Sequence, residues 1–155
     1  MEQQANTFAA HLLLPDYLLQ PIARKIPKMT VKAVREVADR FQATLTATAL
    51  RIIEMNSCPT MMIAYSPSGR VWVARSRLVP ERWFPVKELH HDTYAFDLLN
   101  NVGSEQSSPR RIGADAFFDC RGAERFEVEE QSFRVGDGQI MTLIHFRDDD
   151  MLEDR

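Results

Sequence analysis

The sequence predicts an α+β protein in which a helical N-terminal segment precedes an antiparallel sheet with a few helices. Apolar residues recur at helical spacing as far as residue 56, whereas runs typical of strands follow from Pro59, separated by the turn clusters "SPSG" and "GDG". We therefore divide the chain into a helical region, 1–56, and a sheet region, 57–147. The remaining residues, 148–155, are acidic and poor in apolar side chains, and we expect a disordered tail there.

The first predicted helix lies in "EQQANTFAAHLLLP", where Ala5, Phe8, Ala9 and Leu12 form an apolar stripe. Glu2 falls on the same stripe. A carboxylate that faces the interior is costly unless it meets a cation, a donor or a metal. In a solvated first turn, however, the helix dipole favours it. The residues alone favour the solvated interpretation.

Three further helices are predicted in the N-terminal region. The segment "DYLLQ" predicts a short helix that Pro21 and Pro27 prevent from continuing. Thr30 begins a clear amphipathic helix in "TVKAVREVADRF", and Thr44 can cap another in "LTATALRIIEMN". Because only "QAT" separates these two helices, they predict a helical hairpin or a helix-turn-helix.

The sheet region predicts two hairpins around a helix. "TMMIAY" and "RVWVAR" flank "SPSG", and "FEVEEQSFRV" and "QIMTLIHF" flank "GDG". Between them, "RWFPVKEL" predicts an edge strand or a loop, "DTYAFDLLNN" a short helix and "RRIGADAFF" a strand. In the last strand, Ile140 and Ile144 alternate with Met141 and Leu143, so we expect both faces of the sheet to be covered. We expect the helices to cover one face, with a second copy of the chain as the next choice.

The chain carries a net charge of −3, with 45% hydrophobic and 26% charged residues among 155. These values are typical of a soluble globular protein and give no general attraction to nucleic acid or to membranes. Cys58 and Cys120 lie far apart, which favours reduced thiols over a disulfide or a zinc knuckle. Since neither a membrane span nor a signal-peptide pattern is present, we expect a cytoplasmic protein without a membrane partner.

The opening stretch resembles the E-x-x-A-N-x-F-A-x-x-L-L-x-P segment of the ImmA/IrrE family of zinc metallopeptidases. The matching residues are Glu2, Ala5, Asn6, Phe8, Ala9, Leu12, Leu13 and Pro15. In that family an H-E-x-x-H helix lies upstream, and the glutamate of this segment is the third zinc ligand. The resemblance thus implies a metal-facing role for Glu2, with the other ligands in a preceding part of the protein. Whether Met1 is the native start stays open.

The resemblance extends over the rest of the chain to about Arg147. The helix pair is similar to the helix-turn-helix-like segment that follows the peptidase core, and the strand-rich part is similar to the GAF-like C-terminal domain of IrrE-type members. Family members inactivate helix-turn-helix repressors, which implies a role in transcription regulation and the stress response. A repressor, or the missing peptidase part, is therefore the expected partner.

Catalysis is not expected of these 155 residues, because they contain no H-E-x-x-H motif and one carboxylate cannot replace three zinc ligands. We therefore expect no cofactor here, although zinc is implied for a full-length family member. His90, His91 and Asp92 suggest a metal, but neighbours on extended backbone point to opposite faces, which favours a solvated loop. His11 and His145 each stand alone and are more typical of structural histidines.

The sequence favours a non-catalytic regulatory or interaction module and leaves two alternatives open. The first is a DNA-binding regulator that uses Thr46, Thr48 and Arg51, although a helix with a single basic residue offers few phosphate contacts. The second is a small-molecule sensor with a cleft between the sheet and the helix near residues 94–99. The candidate lining residues of that cleft are Trp72, Trp83, Tyr94 and Phe117.

Overall fold

Three helices precede a five-stranded sheet in the computed structural model, which describes residues 14–103, 106–136 and 138–153. The helices are α1 (Asp16–Ala23), α2 (Val31–Phe41), α3 (Leu45–Glu54), α4 (Tyr94–Leu99) and α5 (Asp149–Leu152). The strands are β1 (Thr60–Ser66), β2 (Gly69–Arg75), β3 (Arg110–Gly113), β4 (Glu127–Arg134) and β5 (Ile140–Phe146). The helix predicted in "EQQANTFAAHLLLP" lies almost wholly outside the described residues.

Side-chain caps fix the starts of α2 and α3 as the sequence predicted. The hydroxyl of Thr30 accepts the N–H of Ala33 at 3.1 Å, and that of Thr44 accepts the N–H of Ala47 at 3.1 Å. Each bond satisfies one of the amides that a helix start leaves without a partner. At the end of α2, Gln42 adopts a left-handed conformation with φ of 53°, which turns the chain sharply into α3.

The prediction that Pro21 stops the first described helix is wrong. Helix α1 runs from Asp16 to Ala23 and includes Pro21, and the N–H of Arg24 still donates to the carbonyl of Gln20 at 3.1 Å. A proline inside a helix removes one hydrogen bond and crowds the preceding turn. In this short helix the buried side chains of Leu19 and Ala23 hold the turn against the core.

All five strands form one antiparallel sheet in the order β2-β1-β5-β4-β3, which confirms both predicted hairpins. At the first hairpin Gly69 has φ of +114°, and a Cβ there would lie 2.8 Å from the backbone oxygen of Lys87. Glycine is therefore required both by the turn and by the close passage of a second chain segment.

The strand predicted in "RRIGADAFF" is wrong in its second half. Strand β3 ends at Gly113, and a 3-10 turn follows over Ala114–Ala116. Phe117 and Phe118 are both buried in the same apolar cluster. Consecutive side chains of a strand point to opposite faces, so the chain has to leave the extended conformation to bury both rings together.

The two faces of the sheet are covered by different parts of the chain. On one face, the helix-side cluster joins Met62, Ala64 and Leu143 of the sheet to side chains of α1, α2 and α3. On the other, the loop-side cluster joins sheet residues to Trp83, Phe117 and other side chains of the connection between β2 and β4. The helices thus cover one face, as predicted, and no second copy is needed for that face.

The prediction of a disordered acidic tail is wrong for residues 148–153. Asp148 caps α5 by accepting the N–H of Asp150 at 2.9 Å, and Met151 is buried in the loop-side cluster. The carbonyl of Met151 also accepts the indole N–H of Trp83 at 2.7 Å. One apolar side chain and one buried hydrogen bond therefore dock a segment whose composition alone suggested disorder.

Candidate functional site

The helix proposed to read DNA packs against the body of the protein instead. Thr48 is buried and donates its hydroxyl to the carbonyl of Thr44 at 2.7 Å. Arg51 is also buried: its guanidinium donates to the carbonyl of Leu14 at 3.1 and 3.3 Å and forms ion pairs with Asp16 and Glu54. Thr46 remains half-exposed. Arg51 thus fastens α3 to the start of α1, and the proposed DNA-reading group does not form a surface.

The four aromatic residues proposed to line a cleft do not meet. Trp83 and Phe117 belong to the loop-side cluster, whereas Trp72 packs against the helix-side cluster on the opposite face of the sheet. Tyr94 lies under the guanidinium of Arg110, whose central carbon is 3.7 Å from the ring centroid. Trp83 packs edge-on against Phe118, with ring centroids 5.5 Å apart, as expected of a core aromatic pair.

A small cavity lined by polar and apolar side chains lies between the sheet and the connection from α1 to α2. Its volume is about 10 Å³, and its lining includes Lys28, Glu129, Gln131, Leu143 and His145. A space of this size holds about one water molecule and admits no substrate. The amide of Gln131 accepts the N–H of Val31 at 2.8 Å, so the polar wall of the cavity also holds the start of α2.

The charged side chains at this cavity join the connection before α2 to the sheet through ion pairs of Glu129. Burial disfavours the charged form of Glu129, but the ammonium of Lys28, 2.6 Å away, and Arg147 together lower the pKa of that carboxyl. Burial lowers the pKa of His145, which lies opposite Glu129 in the β4–β5 pair, and Glu129 opposes this effect. At neutral pH Glu129 is therefore ionised and His145 is neutral.

A second carboxylate, Glu130, lies on the opposite face of β4 and is fully buried. It accepts the N–H groups of Tyr94 and Ala95 at 2.9 and 3.0 Å and the hydroxyl of Ser132 at 3.3 Å, with Arg110 3.6 Å away. Burial raises the pKa of Glu130, and these donors only partly offset it. Glu130 thereby fixes the start of α4 to the sheet.

Sequence reasoning missed Glu130, although the pattern of β4 contains a signal. Glu130 has the same strand phase as Val128 and Ser132, both of which are buried. A carboxylate in the buried phase of a strand requires donors, and the first amides of a helix are ready donors. The identity of those donors depends on tertiary contacts that no local pattern reveals.

His90, His91 and Asp92 come together at an exposed turn that leads into α4. Their ligand atoms all lie within 4.8 Å of one another, and the two imidazole rings stack with centroids 4.3 Å apart. The expectation that these side chains point apart is wrong, because the chain turns here instead of continuing as extended backbone. A search of the described residues for three histidine, cysteine or carboxylate donors close enough to share an ion finds this group.

Comparison with protein families relates the N-terminal third of the chain to peptidases. Residues 1–52 match the model of the IrrE N-terminal-like domain of the peptidase M78 family. This match supports the ImmA/IrrE resemblance at a coarse level and covers α1, α2 and most of α3. A comparison with curated proteins gave no match. None of the described helices is long and apolar enough to cross a membrane.

The zinc site that the resemblance implies is not assembled by the described residues. Glu2 lies within the matched segment but outside the described residues, so its proposed role stays a prediction. The three donors at 90–92 lie outside the matched segment altogether. The donor set therefore differs from that of a family zinc centre, and no hydrolytic step follows from it.

Proposed function

We propose that this chain is a non-catalytic regulatory and interaction module of the IrrE type, whose sheet region is GAF-like. The family match over residues 1–52 and the five-stranded antiparallel sheet support this proposal. Helices α1, α2 and α3 share the helix-side cluster with β1, β4 and β5, so the matched segment and the sheet form one packed body. A partner bound to the sheet can thereby influence the matched segment. A cytoplasmic setting is part of the proposal, since Cys58 and Cys120 are free thiols.

The observation that carries the proposal is a set of exposed apolar and basic side chains on β2 and on the connection that follows it, which we call the β2 surface. Val71, Leu78 and Phe84 are 48%, 43% and 52% exposed. The guanidinium carbons of Arg70 and Arg75 lie 4.6 and 5.8 Å from the centroid of the Phe84 ring. Exposed aromatic and arginine side chains are characteristic of residues that dominate protein–protein binding energy.

Both arginines of the β2 surface are held in place before any partner binds. Arg70 donates to the carbonyl of Pro85, and Arg75 donates to that of Pro80 at 3.2 Å. Side chains that are already oriented lose less conformational freedom on binding. The β2 surface therefore loses less conformational entropy on binding a partner than a surface with freely rotating arginines would lose.

The backbone of β2 is also suited to pairing with another strand. β2 lies at the edge of the sheet, and the N–H of Ser76 donates to the carbonyl of Thr60 at 2.9 Å. Because bonding alternates along an antiparallel pair, Ala74 bonds to β1, whereas Val73 and Arg75 direct their backbone groups outward. The start of this edge is covered, since the N–H of Arg70 donates to the carbonyl of Lys87 at 2.8 Å, so an extended peptide can add along Val73 and Arg75.

Charge indicates the kind of segment that would bind. Residues 69–88 contain the basic residues Arg70, Arg75, Arg77, Arg82 and Lys87 but only two acidic ones, Glu81 and Glu88, although the whole chain is acidic. A second copy would bring this basic edge against itself. The β2 surface therefore favours an acidic, extended segment of a partner protein, and the resemblance suggests a helix-turn-helix repressor as that partner.

Binding measurements with a purified repressor of the class that IrrE-type peptidases cleave test the proposal. We expect association by calorimetry at physiological salt, weakened about 10-fold by Phe84→Ala, as for an interface residue worth more than 1 kcal/mol. Val102→Ala removes a comparably exposed apolar side chain elsewhere and serves as the control. Absence of association, or equal weakening by both variants, would contradict the proposal.

A further inference from the structure

The turn before α4 has features of a metal site that the interaction role does not explain. His90 Nδ1 lies 3.6 Å from Asp92 Oδ2, and His91 Nε2 lies 3.3 Å from Asp92 Oδ1. Two imidazoles and one carboxylate around a common point are a donor set for divalent transition metals, which complete their coordination with water. All three side chains are exposed, so an ion can reach them and leave.

The backbone of this turn is fixed although its side chains are exposed. The buried Thr93 donates both its N–H and its hydroxyl to the carbonyl of His90, at 3.1 and 2.8 Å. Arg110 donates to the carbonyl of Asp92 from the neighbouring strand. The next two amides, of Tyr94 and Ala95, are held by Glu130. The three donors therefore project from one fixed point, which reduces the entropy lost on binding an ion.

The surrounding charges permit a cation. Arg110 is the nearest positive side chain, but it lies 3.6 Å from the carboxylate of Glu130 and over the ring of Tyr94. The guanidinium of Arg110 reaches the backbone carbonyl of Asp92, whereas the Asp92 carboxylate lies beside the two imidazoles, so the carboxylate offered to an ion faces the other two donors. A divalent ion is attracted to such a site.

We propose that His90, His91 and Asp92 form an exchangeable surface site for one divalent transition-metal ion of the zinc type. His90 would bind through Nδ1, which at present accepts the N–H of Asp92 at 3.2 Å. Breaking this exposed hydrogen bond costs little free energy compared with what a metal–imidazole bond contributes. The stacked rings have to rotate apart to direct both nitrogens at one ion, and their exposure allows that movement.

Titration of the full chain with Zn²⁺ alone tests this site. The chain contains four histidines, so imidazole proton resonances report on each of them separately. We expect one ion per chain by calorimetry, with shifts at His90 and His91 and none at His11 or His145. Binding should weaken about 10-fold or more in His90→Ala and in His91→Ala, since loss of an outer partner already costs 10–100-fold. Asp92→Asn should also weaken it.

Matched variants separate this site from others in the chain. Asp119→Asn removes a different exposed carboxylate and should leave affinity unchanged. Added Zn²⁺ should raise the melting temperature of the wild type but not of the His90→Ala/His91→Ala double variant, because binding stabilises only the folded turn. Absence of saturable binding would overturn the proposal. So would affinity that survives in the double variant, or that is lost in Glu2→Gln or Cys120→Ser.

Discussion

Glu129 and Glu130 are neighbours on β4, yet they lie on opposite faces of the sheet and their pKa values shift in opposite directions. On the helix side, Glu129 remains partly exposed and is paired with Lys28 and Arg147. On the loop side, Glu130 is fully buried and its shortest contacts are to backbone amides. On the helix side, flexible cations at the edge of the cluster thus stabilise the carboxylate, whereas on the loop side backbone amides in the interior hold it. The surroundings, and not the residue type, decide which charge state each face favours.

The largest expected effect is the loss of Glu130. Glu130→Ala leaves the amides of Tyr94 and Ala95 without their acceptor at a buried position and removes the charge partner of Arg110, which should lower the free energy of unfolding by about 3–5 kcal/mol. Glu129→Ala, on the opposite face, should cost about 1 kcal/mol because its partners can turn to water. Urea unfolding of both variants measures the difference. Equal losses would show that the two faces do not differ as described.

Arg51→Ala should have an intermediate effect, on the helix side. The substitution removes the hydrogen bonds to the carbonyl of Leu14 and the ion pairs with Asp16 and Glu54, whose carboxylates are exposed. We therefore expect the free energy of unfolding to fall by about 2 kcal/mol. DNA binding at physiological salt should be weak before and after the change. If Arg51→Ala abolished sequence-selective DNA binding while stability stayed constant, the buried role of Arg51 would be wrong.

The smallest effects should appear in the dependence of stability on pH. The pKa of Glu129 is lowered in the folded state, so its contribution is present above its ordinary value of 4.5 and is lost as pH falls through the folded value. The pKa of Glu130 is raised, so the folded state binds the proton more tightly, and Glu130 makes stability decrease as pH rises above 4.5. The pKa of His145 is lowered, so stability falls as pH drops below 6.5.

Unfolding curves of three variants, from acid well below pH 4.5 up to pH 8, separate these contributions. Glu129→Gln should reduce the loss of stability in acid, and Glu130→Gln should remove the opposing trend above pH 4.5. His145→Gln should flatten the slope just below pH 6.5. A wild-type slope that none of the three substitutions changes would show that other groups control the pH dependence.

Local patterns predicted most of the elements because they depend on periodicity and caps. The stripe of α2, the cap at Thr44 and the alternation of β5 all act within a few residues, and all were confirmed. The errors arise where distant contacts decide. Pro21 is tolerated because α1 packs on a core, and the tail is ordered because Met151 meets Trp83. Composition reveals neither contact.

The candidate sites were harder to predict for the same reason. Arg51 is the basic residue that the predicted helix offers to DNA, but its guanidinium donates to the carbonyl of Leu14, 37 residues earlier, and no local pattern reveals that contact. On extended backbone His90 and His91 would point to opposite faces. They come together because the chain turns here, and contacts of Thr93 and of Arg110 from β3 hold that turn. The sequence alone does not reveal these contacts. The β2 surface also depends on Phe84 reaching back to Arg70 across a long connection.

The position of β5 beside β1 imposes an order on folding. Thr60 pairs with His145, so the centre of the sheet cannot form until residue 145 has left the ribosome. Helices α1, α2 and α3 are made before the sheet, but the face that they cover includes Met141 and Leu143 of β5. During synthesis the apolar side chains with which these helices pack on β5 therefore stay uncovered until β5 is made, and such delayed, long-range pairing folds slowly and favours chaperone binding.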